Sequence, residues 1–156
     1  MKMPGPALAS DWPALARAAR RILDQRRTLD PQQVEKGRLT AADATARLRI
    51  ATALVAQWDS IAAGRPPYDA ETAWIVSNGT EGTYPHELRT DLNAAADRAR
   101  TLADRHGEDA DAAHFAEAVA ALAWHARPRD HISHILDVAH ANAAWRASRT
   151  EGRAAA

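Results

Sequence analysis

Hydrophobic residues recur at steps of three and four along one long stretch of the chain, residues 40–64. These residues are Ala44, Leu48, Ala51, Val55, Trp58 and Ala62, and Leu54 and Ile61 widen the stripe. This spacing places one apolar seam along an α-helix. Thr40 can cap its N-terminus, and Gly64 should end it because two prolines follow. The pattern therefore predicts a long amphipathic helix that packs against other helices.

A second amphipathic stretch comes before it and carries many arginines on its polar side. Its predicted inner positions are Leu15, Ala19, Ile22 and Leu29. Asp11 or the serine before it can cap this helix, and Pro13 suits its first turn. Proline disfavours helix at the preceding residue, so Pro31 predicts a break or kink at Asp30, followed by a short separate turn of helix. The short connection that follows predicts an antiparallel helical hairpin over residues 11–64.

The second half of the chain begins with a Pro/Gly-containing linker, within which Asp69 can cap a short helix that includes Trp74. The alternative is a strand followed by an Asn-Gly turn, but the lack of a partner strand favours the helix. The next helix should begin at Pro85. Its predicted inner positions are Leu88, Leu92, Ala95, Ala99 and Leu102.

Two further helices are predicted, over about 109–126 and about 130–148. The inner positions of the first are Phe115, Val119, Leu122 and Ala126. We therefore expect an all-α protein, a bundle of about four to five helices built from two antiparallel hairpins joined by the linker. It should form a single domain over 1–156, made of an N-terminal hairpin at 11–64, a linker and short helix at 65–84, and C-terminal helices at 85–148.

Composition limits the possible chemistry. The 156-residue chain has no cysteine, which excludes disulfides, thiolate metal sites and cysteine nucleophiles. No apolar run is long enough to span a membrane and no signal-peptide pattern opens the chain, so the expected location is the cytoplasm. Residues 1–64 hold ten Lys and Arg against six Asp and Glu, whereas residues 65–156 hold ten against fourteen. This polarity could serve association between copies of the chain or contact with a phosphate backbone; scattered solvated charge is the plain alternative.

Residues 20–58 show a recognisable order of features: an Arg-rich helix, a proline, a Gly-Arg-Leu-Thr turn and an Ala-rich helix ending near an aromatic residue. The positions that carry it are Arg20, Ile22, Arg26, Pro31, Val34, Gly37, Arg38, Leu39, Thr40, Ala44 and Trp58. In these positions the chain resembles small helical proteins of phages and prophages, which are functionally uncharacterised; their usual tyrosine before the proline is Asp30 here. The resemblance implies a phage setting, and hence a bacterial host cytoplasm, rather than a particular activity.

Histidines are concentrated in the last third of the chain. His131, His134 and Asp137 follow one another at steps of three, which could present two imidazoles and a carboxylate to a divalent metal, with His125 as a further ligand. No established metal-site signature accompanies them, and histidines near helix ends also interact with the helix dipole. The sequence therefore predicts no metal or other cofactor, with these residues as weak metal candidates.

Acidic residues raise the possibility of a metal-dependent helical hydrolase. Glu87 and Asp91 lie four apart on one predicted helix, but no second pair is evident to face them across a magnesium ion. The chain also lacks a phosphate-binding glycine loop, a dinucleotide motif and a nucleophile elbow. We predict no catalytic residues, and this enzyme class ranks third among the hypotheses.

The arginines of the first helix and the following turn suggest contact with nucleic-acid backbones. They are Arg17, Arg20, Arg21, Arg26, Arg27 and Arg38, accompanied by Lys36. The next helix begins with Ala41, Ala42 and Asp43, which offer no base-reading side chain. Any such binding would therefore be to the backbone alone, and this hypothesis ranks second.

Protein recognition is the favoured hypothesis, because exposed tryptophan and arginine are the usual anchors of interfaces. The five tryptophans do not all fit the predicted inner faces, although they could instead cover helix ends and the rim of the bundle. We predict a non-enzymatic phage-type accessory protein that binds a host or phage protein and could inhibit a host defence system. The predicted partner-binding residues are Trp74, Trp124, Trp145, Arg20, Arg21, Arg27 and Arg38.

Overall fold

A computed structural model describes residues 5–128 and 145–149 of the chain. Its helices are α1 (Trp12–Glu35), α2 (Ala41–Ala62), α3 (Ala70–Val76), α4 (Pro85–Arg105) and α5 (Ala110–His125), and residues 145–149 are also helical. No strand occurs among the described residues, so the predicted all-α fold is confirmed. The five named helices lie in the first of two compact units, Met1–Ala126 and Arg127–Ala156. The single domain over 1–156 stays a prediction.

Helices begin where local sequence signals placed them. The side chains of Asp11, Thr40 and Asp109 each accept a hydrogen bond from a backbone amide two or three residues further on. Asp69 does the same for α3, which is the predicted short helix rather than a strand. Pro85 occupies the first turn of α4, where its missing N–H group costs nothing. Capping depends only on neighbours in the chain, which explains why these boundaries are readable from the sequence.

The long helices pack as two hairpins. α1 packs mainly on α2 and α4 mainly on α5, while α1 also contacts α5. The first pair is antiparallel, because Arg20 near the start of α1 bonds Asp59 near the end of α2, whereas Asp30 bonds Arg47. Much of the core is alanine, interleaved with large side chains that include Leu15, Ile22, Leu54, Trp58, Leu92, Val119 and Leu122. Small residues at the contacts allow the helices to approach closely.

A buried charge network ties three of these helices together. Arg26 is only 4% exposed; its Nη2 donates to Asp91 of α4 at 2.8 Å, and its Nη1 donates to the Arg47 carbonyl of α2 at 2.8 Å. The Arg47 side chain donates in turn to both Asp30 oxygens, at 2.8 and 3.2 Å. This bond raises the pKa of Arg47 above its ordinary value. The sequence placed Arg26 on a polar outer face, and that placement is wrong.

Proline 31 does not break α1, contrary to the prediction. The helix runs from Trp12 to Glu35 with Pro31 inside it. An interior proline removes one backbone hydrogen bond and costs about 3 kcal/mol. The residue before it, Asp30, is 6% exposed and is held by Arg47 of α2. Tertiary bonds at Asp30 therefore favour the continuous helix and offset the local cost.

The apolar face of α2 is rotated from the predicted seam. Leu48 is 40% exposed and Val55 is half-buried. The buried positions are Ile50, Ala51, Ala53, Leu54 and Trp58. α2 contacts both α1 and α4, so its buried face is broad. Because most residues of this helix are apolar, sequence spacing alone could not fix which stripe faces inward.

Two other predicted inner leucines are also half-exposed. Leu29 of α1 is 49% exposed and Leu102 of α4 is 50% exposed. Both line a groove between α1, α4 and α5 rather than the packed core. Each lies at a helix position flanking the buried stripe, where contact depends on how closely the neighbouring helix approaches.

We predict that Arg26→Met lowers the free energy of unfolding by about 3–5 kcal/mol, because it leaves the Asp91 carboxylate buried without its cation. Arg27→Met, on the exposed neighbouring residue, is the matched control and should change stability by less than about 0.5 kcal/mol. The double variant Arg26→Met/Asp91→Leu should recover much of the loss. Urea unfolding followed by circular dichroism measures all three. Equal stability of the two single variants would contradict this role for Arg26.

Candidate functional site

The predicted anchor Trp74 lies in α3 and is half-buried. Its ring centroid is 5.7 Å from that of Tyr84, and its indole lies against Gly79. Trp74 therefore fixes the turn after α3 to the helix. The large exposed surface belongs to its neighbours, since Ile75 is 63% exposed, Val76 80% and Tyr84 47%. We call these three residues the α3 surface.

The exposure of the α3 surface follows from the geometry of a short helix. Successive residues of an α-helix point about 100° apart, so Trp74, Ile75 and Val76 cannot share one face. The helix has only seven residues, of which Ala70 alone is buried. Once the Trp74 ring packs on the following turn, the two β-branched side chains are left in solvent.

Hydrogen bonds from α2 hold the turn after α3 in place, and a bond from that turn holds α3. Arg49 Nη1 donates to the Gly82 carbonyl at 2.9 Å, and the guanidinium grips both Glu87 carboxylate oxygens at 2.8 Å. The buried Thr83 donates its backbone N–H to the Ala70 carbonyl at 3.1 Å. Gly82 has a φ of 71°, and a Cβ there would lie 2.2 Å from the same carbonyl. Only glycine fits this position, so the turn has one well-defined path.

Two of the predicted partner-binding arginines are engaged by carboxylates of the protein itself. Arg20 donates from Nε and Nη2 to Asp59, at 3.0 and 2.7 Å. Arg21 donates to Asp111 at 3.0 Å, and its guanidinium lies 4.2 Å from the centre of the Phe115 ring. These contacts link α1 to α2 and to α5, although both pairs are largely exposed, with Arg20 at 59% and Arg21 at 40%.

The other two predicted arginines, Arg27 and Arg38, are exposed and have no carboxylate partner among the described residues. Arg27 lies on the outer face of α1, and Arg38 lies in the turn before α2, where its backbone N–H donates to the Gln33 carbonyl at 2.9 Å. Since Arg26 is buried, the arginines of the first helix do not form one continuous basic strip.

Trp124 belongs to an aromatic cluster around His125. The His125 ring lies 4.9 to 5.7 Å from the rings of Trp124, Trp58 and Trp12. His125 Nε2 is 2.8 Å from the Ala9 carbonyl oxygen. The cluster thus joins the segment before α1 to the ends of α2 and α5.

The last predicted tryptophan, Trp145, lies in the helical segment 145–149. It is half-buried, and the Arg149 guanidinium lies 4.8 Å from the centre of its ring. Its role in partner binding stays a prediction, as do those of Trp74 and Trp124.

The weak metal candidates His131, His134 and Asp137 lie outside the described residues. Among the residues that are described, no three His, Asp or Glu side chains are grouped so as to hold a metal ion. The carboxylates of the hydrolase hypothesis are both bonded to arginines, Glu87 to Arg49 and Asp91 to Arg26. A guanidinium in each position competes directly with a magnesium ion.

Sequence reasoning did not single out Ile75 or Arg98. Ile75 is 63% exposed in α3, and Arg98 is an exposed cation of α4. For Ile75 a signal was present: three consecutive large apolar residues in a short helix cannot all be buried. Arg98 gave a weaker signal, because it flanks the buried positions Ala95 and Ala99.

Comparisons of the chain with protein-family models, with curated proteins and with solved structures found no match. Within the part of the chain that the structure describes, no helix is long and apolar enough to cross a membrane.

We predict that the Arg49 bonds add an acid-sensitive component to stability. The Arg49 guanidinium, chiefly through its hydrogen bonds, holds the pKa of Glu87 below its ordinary value. The stabilisation is therefore complete above about pH 5 and is lost as the pH falls through the lowered folded pKa. Glu87→Gln should lower the free energy of unfolding at pH 7. It should also make that free energy fall less steeply as the pH is lowered.

Urea unfolding at several pH values between about 3 and 7 measures this effect. Glu117→Gln, on an exposed position of α5, is the control and should keep the pH dependence of the parent. A Glu87→Gln variant that loses stability with acid as steeply as the parent would rule out the contribution of Glu87.

Proposed function

We propose that the chain is a non-enzymatic binding protein that docks its α3 surface onto a protein partner. The observation that carries this proposal is the exposure of Ile75 and Val76 at the end of a helix that is bonded, at Ala70, to the turn held by Arg49. Covering such side chains gains roughly 25 cal/mol per Å² of apolar area. Contiguous exposed apolar side chains are a common feature of protein interfaces.

The surroundings of the α3 surface define the chemistry of the partner. Asp69 and Glu71 are exposed at the start of α3 and Glu81 in the turn after it, so the segment that carries the apolar surface also carries exposed acidic side chains. Interfaces commonly combine a desolvated apolar centre with a polar, solvated edge. The complementary partner surface is a shallow apolar pocket bordered by lysine or arginine.

The resemblance of residues 20–58 to small phage and prophage proteins supports a partner from a bacterial host or from the phage itself. Inhibition of a host defence system is the action that we propose in that setting. The resemblance supplies this biological context, and the α3 surface supplies the physical means of binding.

Nucleic-acid backbone binding is the less favoured alternative. It needs several free cationic side chains close together. Arg27 and Arg38 are exposed, but Arg20 and Arg21 are paired with Asp59 and Asp111. Releasing them for phosphate contacts would break existing ion pairs, which reduces the net gain in free energy.

We predict that Ile75→Ala/Val76→Ala abolishes capture of a host partner without unfolding the protein. Each protein is immobilised and used to pull down partners from a bacterial lysate. Quantitative mass spectrometry should then identify a bacterial protein that the parent retains and the double variant does not. With that partner purified, the double change should cost about 2 kcal/mol or more in binding. Leu48→Ala, which also removes an exposed apolar side chain, is the control and should bind normally. Equal binding by all three proteins would refute the role of the α3 surface.

We also predict no measurable binding to duplex or single-stranded oligonucleotides at about 0.15 M salt. Backbone binding would weaken steeply with salt as counterions are released, and replacing Arg20, Arg21 and Arg27 with glutamine would flatten that slope. Fluorescence anisotropy over a salt series makes the measurement. Salt-dependent binding that this triple change removes would favour the nucleic-acid alternative.

A further inference from the structure

A second surface, separate from the α3 surface, has the features of a ligand site. It is a groove of about 220 Å³ between α1, α4 and α5, with Arg47 of α2 at its edge. Ala95, Ala99 and Ala112 line it, and their small side chains leave depth between the helices. Leu29 and Leu102 project beside it, each about half exposed at 49% and 50%. Apolar contact area is therefore available inside the groove and along its edge.

Four arginines line the same groove, and three of them have a carboxylate partner. Arg21, Arg26 and Arg47 are bonded to Asp111, Asp91 and Asp30 respectively. The fourth, Arg98, has no hydrogen bond or ion pair with any of the described residues. The groove thus carries one guanidinium in excess of its carboxylates.

The electrostatic setting of Arg98 favours an anion. The pKa of Arg98 lies below its ordinary value, chiefly because the side chain is partly buried and also because Arg47 and Arg26 are nearby. The carboxylates of Asp91 and Asp30 act in the opposite direction. A guanidinium that is partly desolvated beside other cations gains from a carboxylate, with which it can form two parallel hydrogen bonds.

We propose that this groove binds an acidic amphipathic helix of a partner protein, with a glutamate or aspartate on Arg98 and apolar side chains between Leu29 and Leu102. The volume decides the type of occupant: sites for drug-sized molecules span roughly 300–1,000 Å³, so this groove admits one or two side chains rather than a whole cofactor. An amphipathic helix lying along a groove inserts apolar anchors one turn apart. The excess positive charge selects a helix with an acidic residue beside those anchors.

This proposal does not depend on the α3 surface, because the two surfaces share no residue. A chain that fails to bind through Ile75 and Val76 could still bind an acidic helix here, and the reverse also holds. The two sets of variants therefore test the proposals separately.

The probe is a panel of synthetic, fluorescein-labelled helical peptides of about 14 residues, each with phenylalanine and leucine one turn apart. One glutamate is placed at different positions beside these anchors, and matched peptides carry glutamine instead. Anisotropy titrations use the full chain and its Arg98→Gln variant. Arg100→Gln, an exposed arginine two residues away on α4, is the matched control.

We expect at least one glutamate peptide to bind the parent, and Arg98→Gln to weaken it about tenfold, the effect of losing a charge-assisted hydrogen bond. Arg100→Gln should change the dissociation constant less than about twofold. Replacing glutamate by glutamine in the peptide should weaken binding to the parent about as much as Arg98→Gln weakens binding of the glutamate peptide. Combining the glutamine peptide with Arg98→Gln should cause little further loss, because both changes remove the same contact. Unchanged thermal unfolding should show that Arg98→Gln is folded.

Several results would overturn the proposal. One is the absence of binding by every peptide at about 1 mM. Another is equal weakening by Arg98→Gln and Arg100→Gln. Sedimentation showing that the parent is a dimer which Arg98→Gln dissociates would make a second copy of the chain the occupant. Free octanoate is tested in the same way. If octanoate binds the parent but not Arg98→Gln, and the peptides do not displace it, the groove is a small-molecule site.

Discussion

The structure depends most on the bond between Arg26 and Asp91. Arg26 is a cation of α1 and is only 4% exposed, so without a partner its charge would strongly destabilise the fold. The same guanidinium holds the backbone of α2 at Arg47, whose own side chain holds Asp30. Because three helices contribute to one network, their relative positions are coupled. The charged side chains that line the neighbouring groove are therefore held in a fixed arrangement.

This network also explains what the sequence could and could not reveal. The caps at Asp11, Thr40, Asp69 and Asp109 were predictable, since each is a bond between near neighbours in the chain. The hairpin pairing followed from short connections. The burial of Arg26 was not predictable, because it needs a carboxylate sixty-five positions away in the chain to make it favourable. The same limit applies to α2, whose apolar positions surround most of the helix.

The candidate surfaces were predicted in part. Trp74 was predicted as an anchor, but its ring packs on the turn after α3, and Ile75 and Val76 beside it are the residues that face solvent. The arginines of α1 were recognised as a group, yet their environments differ: Arg20 and Arg21 are paired, Arg26 is buried and Arg27 is exposed. Helical spacing assigns residues to faces, whereas the partner of each arginine depends on which carboxylate the neighbouring helices bring near.

The bonds made by Arg49 have a consequence for the energetics of recognition. Because the turn between α3 and α4 is fixed to α2 at Gly82 and Glu87, its backbone is ordered before any partner arrives. Ordering a loop at an interface commonly costs conformational entropy that subtracts from affinity. At the proposed α3 surface folding has already met this part of the cost. A partner would then be opposed mainly by the loss of rigid-body freedom and by the ordering of side chains.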